Sequence, residues 1–510
     1  MSSAYIAIDL GAESGRVIVA ALMGDRLELE EVHRFAHEPV WLPTGLHWDS
    51  TGIWREIVAG LRKAAAWCEE NPGVKPVSVG VDTWGVDWAL VDAAGELVGL
   101  PHAYRDPRNV AAYDEVLARL EQDRIYQTTG IQFMPLNTLY SLYAHKLADP
   151  AALDRAEQLL FMPDLVHFWL SGERTVEATI ASTSQMVDCH TGDWARDMLG
   201  ELDLPTDLLG PIAPPGSTVG TLRGKIAEET GLPPTLRVVA PASHDTASAV
   251  AAVPAQQPVA TGGPPVGSAP LRNWCYLSSG TWSLLGAELA APCVTPAAQA
   301  AMFTNELGVG GTTRFLKNIP GLWLVQECRR HFARHGDDFD YATLTQLAAD
   351  SPAFRTLVDP AHASFQSPGG MPKKIAQFAH ATGQPAPDSP GQYVRCCLES
   401  LALTYHAKLE ALESILGQRF DVIHVVGGGG KNSLLCQMTA DATSRRVIVG
   451  PYEATAMGNA LVQAMAVGDV RDLAELRRIV ANSFDLATCE PNPSDEWNAA
   501  HDRFRQICAT

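Results

Sequence analysis

An α/β protein built from two layered domains is the fold class this sequence predicts, on three observations. The chain has 510 residues, more than one hydrophobic core usually serves, so two domains are expected. Apolar strand patterns alternate with helical ones along it, the mark of sheets covered by helices. Finally, the layout of "IAIDLGAESGRVIVAAL", in a unit opening near residue 4, returns in "WCYLSSGTWSLLGAEL" from Trp274. Both read as apolar strand, small-residue turn, apolar strand. The repeat suggests two domains of related fold; on pattern alone, two ordinary hairpins fit equally well.

The elements follow in order. "AYIAIDLG" and "RVIVAAL" are apolar and rich in β-branched residues, and "LELEEVHRF" alternates with a period near two, so the chain opens on antiparallel strands. "TGIWREIVAGLRKAAAWCEE" places apolar residues three and four apart and predicts a helix. "VSVGVDTWGVDWALVDAAGELVG" reads as strand, tight turn, strand. Residues 252–273 are rich in Pro, Gly and Ala and nearly uncharged, which predicts a long loop or linker. "FDVIHVVGGGGKNSLLCQMTADAT" reads as strand, glycine loop, helix, and "RRVIVGPYEATAMGNALVQAMAVG" repeats the scheme with a helix opening near Glu453. A glycine loop that leads into a helix offers backbone N–H groups to phosphate or ribose.

Composition narrows the function. A formal net charge of −20 argues against nucleic acid or an anionic membrane as partner. No window approaches the roughly 18 apolar residues of a membrane helix, and "MSSAYIAIDLG" carries no leader pattern. A cytoplasmic protein is expected. The ten cysteines are scattered, with no CxxC pair and only Cys396 and Cys397 adjacent, which favours free buried thiols over disulfides or zinc.

Several tempting motifs fail on geometry. "VVGGGGKNS" is not a P-loop, because Val425 and Asn432 stand where Gly and Ser/Thr are needed. It is no dinucleotide fingerprint either, with Asn432 at the sixth position. His33, His37 and His47 fall on a strand running into a Pro/Gly loop, so helical metal-ligand spacing does not apply. In "ASHDTAS" (242–248), consecutive side chains diverge, so Ser243, His244 and Asp245 cannot form a hydrolytic triad. What remains is Asp245, a carboxylate among small residues after the apolar strand "LRVVAPA". It reads either as a helix N-cap or as a base or metal–water ligand on a cleft floor.

Taken together, "AIDLGAESGR" (7–16), "GVDTWGVDWALVD" (80–92), "YRDPR" (104–108), "IYQTTGIQFMPLNTLY" (125–140), "SHDTASAV" (243–250), "LSSGTWSLLG" (277–286), "KNIPGLWLVQE" (317–327) and "HVVGGGGKN" (424–432) span nearly the whole chain. They resemble the FGGY family of carbohydrate kinases, and within it the rhamnulokinase branch. The resemblance implies two actin/Hsp70/RNase H-like domains, each a mixed five-stranded sheet flanked by helices, around a deep cleft. Their expected extents are 1–250, for sugar and the first phosphate loop, and 251–510, for nucleotide. The implied reaction is ATP-dependent phosphorylation of L-rhamnulose at its 1-hydroxyl. A kinase for another ketose, such as L-fuculose or D-xylulose, is the alternative. Sugar and ATP are the implied partners, and a monomer or small homo-oligomer is expected.

The resemblance also implies roles for individual residues. Asp245 matches the base, and Gly85, His244, Thr246 and Asn318 match sugar contacts. Ala12, Glu13, Ser14, Gly15 and Arg16 match the first phosphate turn. Thr281, Gln326 and Gly429 match further nucleotide contacts. Asp9 matches the carboxylate that helps hold Mg2+ through water. Trp84 is placed to cover an apolar face of the sugar or to sit in the core. Three features depart from the family pattern. Glu13 replaces a small serine, Lys431 stands where Gln is usual, and the 252–273 stretch is long.

Overall fold

The computed structural model describes residues 2–255, 273–492 and 494–508. The loop expected at 252–273 therefore lies mostly outside the described residues. The chain forms two compact units. Unit 1 comprises Met1–Ala269, Glu288–Phe315 and Ala454–Phe484, and unit 2 comprises Pro270–Ala287, Leu316–Glu453 and Asp485–Thr510. Among the described residues, no helix is long and apolar enough to cross a membrane. All ten cysteines are free, and eight of them are buried.

In unit 1, β1 (Ser2–Leu10), β2 (Ser14–Met23), β3 (Arg26–Ala36), β4 (Val74–Thr83), β5 (Ser217–Thr221) and β6 (Arg237–Ala240) form one sheet ordered β5-β6-β4-β1-β2-β3. β1 runs antiparallel to β2 and parallel to β4, which makes the sheet mixed. From Ala4 to Leu10 β1 is continuously buried, as expected of a central strand covered on both faces. The five-residue edge strand β5 adds a sixth strand to the expected five. Its sequence, STVGT, has too little apolar alternation to announce a strand. The helix Ser50–Glu70 lays Ile53, Ile57, Leu61, Ala64 and Cys68 against this sheet, and Asp49 caps it by accepting from Gly52 N at 2.8 Å.

The short helix Asp245–Ala251 follows β6. Its outward end is held by Arg477, which donates to Val250 O (3.2 Å) and Ala251 O (3.3 Å) and pairs with buried Glu288 at 2.8 Å. Helix Ala454–Val467 crosses it at Gly458, where an added Cβ would lie 1.8 Å from Ser248 O. Only glycine allows this approach of two backbones.

In unit 2, β7 (Trp274–Ser279), β8 (Trp282–Leu289), β9 (Thr313–Pro320), β10 (Val422–Val426), β11 (Arg446–Val449) and β12 (Ala487–Cys489) run in the order β9-β8-β7-β10-β11-β12, six strands of a seven-stranded sheet where five were expected. β7 pairs antiparallel with β8 and parallel with β10, the same arrangement that β1 has with β2 and β4. The repeat read from sequence is thus a repeat of topology. The 27-residue helix Pro390–Leu416 ends at Gly417, whose φ of 64° suits a left-handed cap.

Gly458→Ala should lower the unfolding free energy by about 1–3 kcal/mol through overpacking, measured by urea denaturation. Gly224→Ala, where a Cβ meets nothing within 4 Å, should leave stability unchanged.

Candidate active site

Within unit 1, the ends of β1 and β4 bring carboxylates together. Asp9 is the register partner of Arg16 on β2 and of Asp82 on β4. Arg16 forms an ion pair with Asp9. Asp82 is fully buried; its Oδ2 accepts from Asn459 Nδ2 at 2.5 Å, while Oδ1 has no hydrogen-bond partner. Burial first, then the charges of Asp9 and Asp245, push its carboxyl well above the usual range. Asp9, Asp82 and Asp245 thus lie within electrostatic reach of one another.

The turn between β1 and β2 is closed by Gly11 N donating to Ser14 O at 2.9 Å. Ala12 and Ser14 are half-buried, and the Glu13 side chain is exposed, so its charge faces solvent. Gly15 has a packing reason to be glycine: a Cβ there would lie 2.3 Å from Phe35 Cζ. His37 donates its backbone N–H to Glu13 O (3.2 Å), and burial holds its imidazole below the usual range. His33 meets Glu56 at 3.0 Å and His47 meets Thr44 at 2.8 Å, so the three histidines of that segment face different partners.

After β4, Gly85 approaches His244, with an added Cβ 3.4 Å from its Nε2. Val86 has a φ of 69°, a strained conformation for a β-branched residue. It is held by Thr183 Oγ1, which accepts from its N–H at 3.1 Å, and by Thr138 Oγ1, which donates to its carbonyl at 2.6 Å. Trp84 is core: it is 5% exposed, packs 4.3 Å from the Trp48 ring and donates to Asp87 at 2.8 Å. That indole is packed inside the unit rather than offered to a ligand.

The segment Ser243–Thr246 is fixed from behind by Glu177. Its buried carboxylate accepts from Thr179 N, Thr179 Oγ1, Ile180 N and Ser243 N at 2.6–3.1 Å. Burial nevertheless outweighs these bonds and raises its carboxyl to about 7. Asp245 is the first residue of its helix and His244 occupies the N-cap position, without a side-chain cap bond. The N-cap reading therefore falls one residue away from Asp245. Asp245 Oδ1 accepts from Thr246 N (2.5 Å) and Thr246 Oγ1 (3.0 Å). Its side chain keeps 32% exposure, and desolvation raises its carboxyl. His244 stands between two carboxylates, with Nε2 3.4 Å from Asp245 Oδ1 and Nδ1 3.2 Å from Glu306 Oε2. Arg314, 1% exposed by its side chain, pairs with Glu306 at 2.9 Å and meets His244 Nδ1 at 3.2 Å. Despite burial, that guanidinium and His244 hold the Glu306 carboxyl below the usual range.

Unit 2 gathers three of the predicted nucleotide contacts. The turn Gly280–Thr281 joins β7 to β8, and Gln326 Nε2 donates to Thr281 Oγ1 at 3.1 Å. Thr281 O and Gly280 O accept from Gly321 N (3.0 Å) and Leu322 N (2.9 Å). Gln326 Oε1 is buried without a hydrogen-bond partner. A Cβ on Gly429 would lie 2.1 Å from Ser279 Oγ, so the glycine loop rests on the end of β7. Asn432 caps the next helix by accepting from Leu435 N at 2.9 Å. The exposed Lys431 ammonium lies 3.7 Å from Glu453. Asn318, matched to a sugar contact, lies on β9 of unit 2, apart in the chain grouping from the unit 1 sugar set.

Asp82, Glu177, Glu306, Arg314 and Asn459 were not legible as site residues. Asp82 lies inside the quoted "GVDTWG" motif, which was the available signal; the others carry no local motif.

The N-terminal domain of the FGGY family of carbohydrate kinases matches residues 4–252, and its C-terminal domain matches 275–467. The chain is 40% identical to a rhamnulokinase of Bacteroides thetaiotaomicron over 99% of each chain. It is 38% identical to one of Oceanobacillus iheyensis, over 96% of this chain and 98% of the relative. Among solved structures, a gluconate kinase from Lactobacillus acidophilus superposes with a TM-score of 0.78 at 14% identity, covering 100% of this chain and 97% of that one. A xylulose kinase from Rhodospirillum rubrum gives 0.76 at 18% identity, covering 99% and 98%. At such identities the structural likeness concerns the fold, which agrees with the two expected mixed-sheet domains. Matched by both family domains in order and by curated relatives end to end, this chain belongs to the FGGY family of carbohydrate kinases, enzymes that transfer phosphate from ATP to a sugar.

Proposed function

We propose that this kinase phosphorylates L-rhamnulose at its 1-hydroxyl, giving L-rhamnulose 1-phosphate and ADP. The sugar assignment is supported by similarity at 34–40% identity to relatives named rhamnulokinase and by the "DTWGVDW" and "SHDTASAV" segments. The observation that carries the chemistry is Asp245, partly exposed at the head of a buried helix and backed by His244, Glu306 and Arg314.

In this reading the 1-hydroxyl oxygen attacks the γ-phosphorus, Asp245 takes the hydroxyl proton, and ADP departs. Phosphoryl transfer of this kind needs positioning, charge neutralisation and a base, with no covalent intermediate. Gly85, His244, Thr246 and Asn318 are assigned to the sugar. Glu306 and Arg314 orient the His244 ring, and the strained Val86 turn sets Gly85 in place. Residues 12–16 are assigned to the phosphates, with Arg16 adding positive charge. Thr281, Gln326 and Gly429 are assigned to the nucleotide, so that residues 1–250 serve mainly the sugar and 251–510 the nucleotide. Mg2+, when bound, neutralises phosphate oxygens; Asp9 would hold it through water, and the unpartnered Asp82 Oδ1 fits that donor set.

Asp245→Asn should lower kcat by about 10²–10⁴ while ATP binding persists, read by coupled ADP release and by nucleotide titration. Turnover within a few-fold of the parent would reject Asp245 as the base. In the same assay L-rhamnulose should outpace L-fuculose, D-xylulose and glycerol in kcat/KM; equal or faster turnover of another sugar would overturn the substrate assignment. Glu306→Ala strands the buried Arg314 charge. The unfolding free energy should fall by about 3–5 kcal/mol, against about 0–1 kcal/mol for the exposed Glu31→Ala, both read by urea denaturation.

A further inference from the structure

A second cluster of ligating side chains lies in unit 2 and uses none of the residues assigned to phosphoryl transfer. His406 and Glu410 sit one helical turn apart on helix Pro390–Leu416, and His501 projects from the C-terminal helix Asp495–Cys508. One ligand atom from each lies within 4.8 Å of the others. His406 Nε2 is 3.5 Å from Glu410 Oε1, and His501 Nε2 is 3.6 Å from Glu410 Oε2. The two imidazoles stack with centroids 4.1 Å apart and planes 24° apart.

Hydrogen bonding does not account for this arrangement. His501 Nε2 is buried without a hydrogen-bond partner, in a residue only 9% exposed. The Glu410 carboxylate faces both ring nitrogens, yet at 3.6 Å it stands beyond hydrogen-bond distance of His501 Nε2. Tetrahedral zinc with bonds of about 2.0–2.2 Å sets its donor atoms about 3.4 Å apart, close to both observed separations. The neighbouring Glu413 is already taken, accepting from Arg445 with both oxygens at 2.9 Å. Glu410, with a side chain 55% exposed, leaves the cluster open to solvent.

We propose that His406, Glu410 and His501 form a zinc site that ties the helix Pro390–Leu416 to the C-terminal helix. Three protein ligands leave a fourth position for water or an external ligand. Two imidazoles and one carboxylate select zinc over Mg2+, which prefers an all-oxygen shell, so the site does not compete for the kinase's metal. Joining two helices, zinc also stabilises the folded chain by mass action.

The test uses the full chain, freed of metal with a chelator and exchanged into chelator-free buffer. Zn2+ is titrated by calorimetry, and Co2+ by its visible absorption, whose intensity reports four-coordination. The expected result is one equivalent bound per chain, insensitive to excess Mg2+. Affinity should fall by about tenfold or more in Glu410→Gln, whose exposed position spares the fold, and in His501→Gln. Glu410→Gln should keep kcat for the sugar with Mg-ATP unchanged. Absence of saturable Zn2+ binding, binding equal to the parent in both variants, or displacement of zinc by excess Mg2+ would each overturn the proposal.

Discussion

The position of Asp245 depends on how closely two helices of unit 1 approach. Helix Asp245–Ala251 is seven residues long, too short to hold its place by its own hydrogen bonds. Gly458 lets the backbone of helix Ala454–Val467 press directly onto Ser248, and Arg477 takes up the carbonyls at the helix's far end. A larger residue at 458 would move the Asp245 helix as a body. Segments some two hundred residues away in the chain therefore set where the proposed base stands.

Unit 1 buries several carboxylates and treats them in opposite ways. Glu306 gains a guanidinium in direct contact, so its carboxyl is held down and stays charged. Glu177 gains four hydrogen bonds but no cation, and burial still raises its carboxyl to about 7. Asp82 gains one amide and two like charges, and is raised well above the ordinary range. The contrast follows the physics: a counter-charge offsets desolvation, neutral donors offset it in part, and neighbouring carboxylates add to it. Glu306 contacts His244, Glu177 accepts from the backbone of Ser243, and Asp82 keeps one oxygen without a hydrogen-bond partner.

Much of the fold was legible because its signals are local. Strands β1, β2, β4, β7, β8 and β10 are dense apolar runs ended by small residues, and the helix Ser50–Glu70 has a clear apolar stripe. The five-residue strand β5 escaped notice because an edge strand is under little pressure to alternate. Trp84 had two readings, and burial against Trp48 with a hydrogen bond to Asp87 chose the core. Gly15 has a packing reason beside the one read from its turn: Phe35 occupies the space a side chain would need.

The sequence by itself determined the motif-bearing turns, the duplicated strand–turn–strand layout and the family, because each is written in short runs of consecutive residues. Tertiary structure alone decided which distant groups meet them. Arg314 and Glu306 reach His244 across more than sixty residues of chain, Asn459 reaches Asp82 across 377, and His501 reaches Glu410 across 91. No local pattern encodes such meetings, since the side chains concerned are specified by where packed helices and strands deliver them and not by their neighbours in sequence.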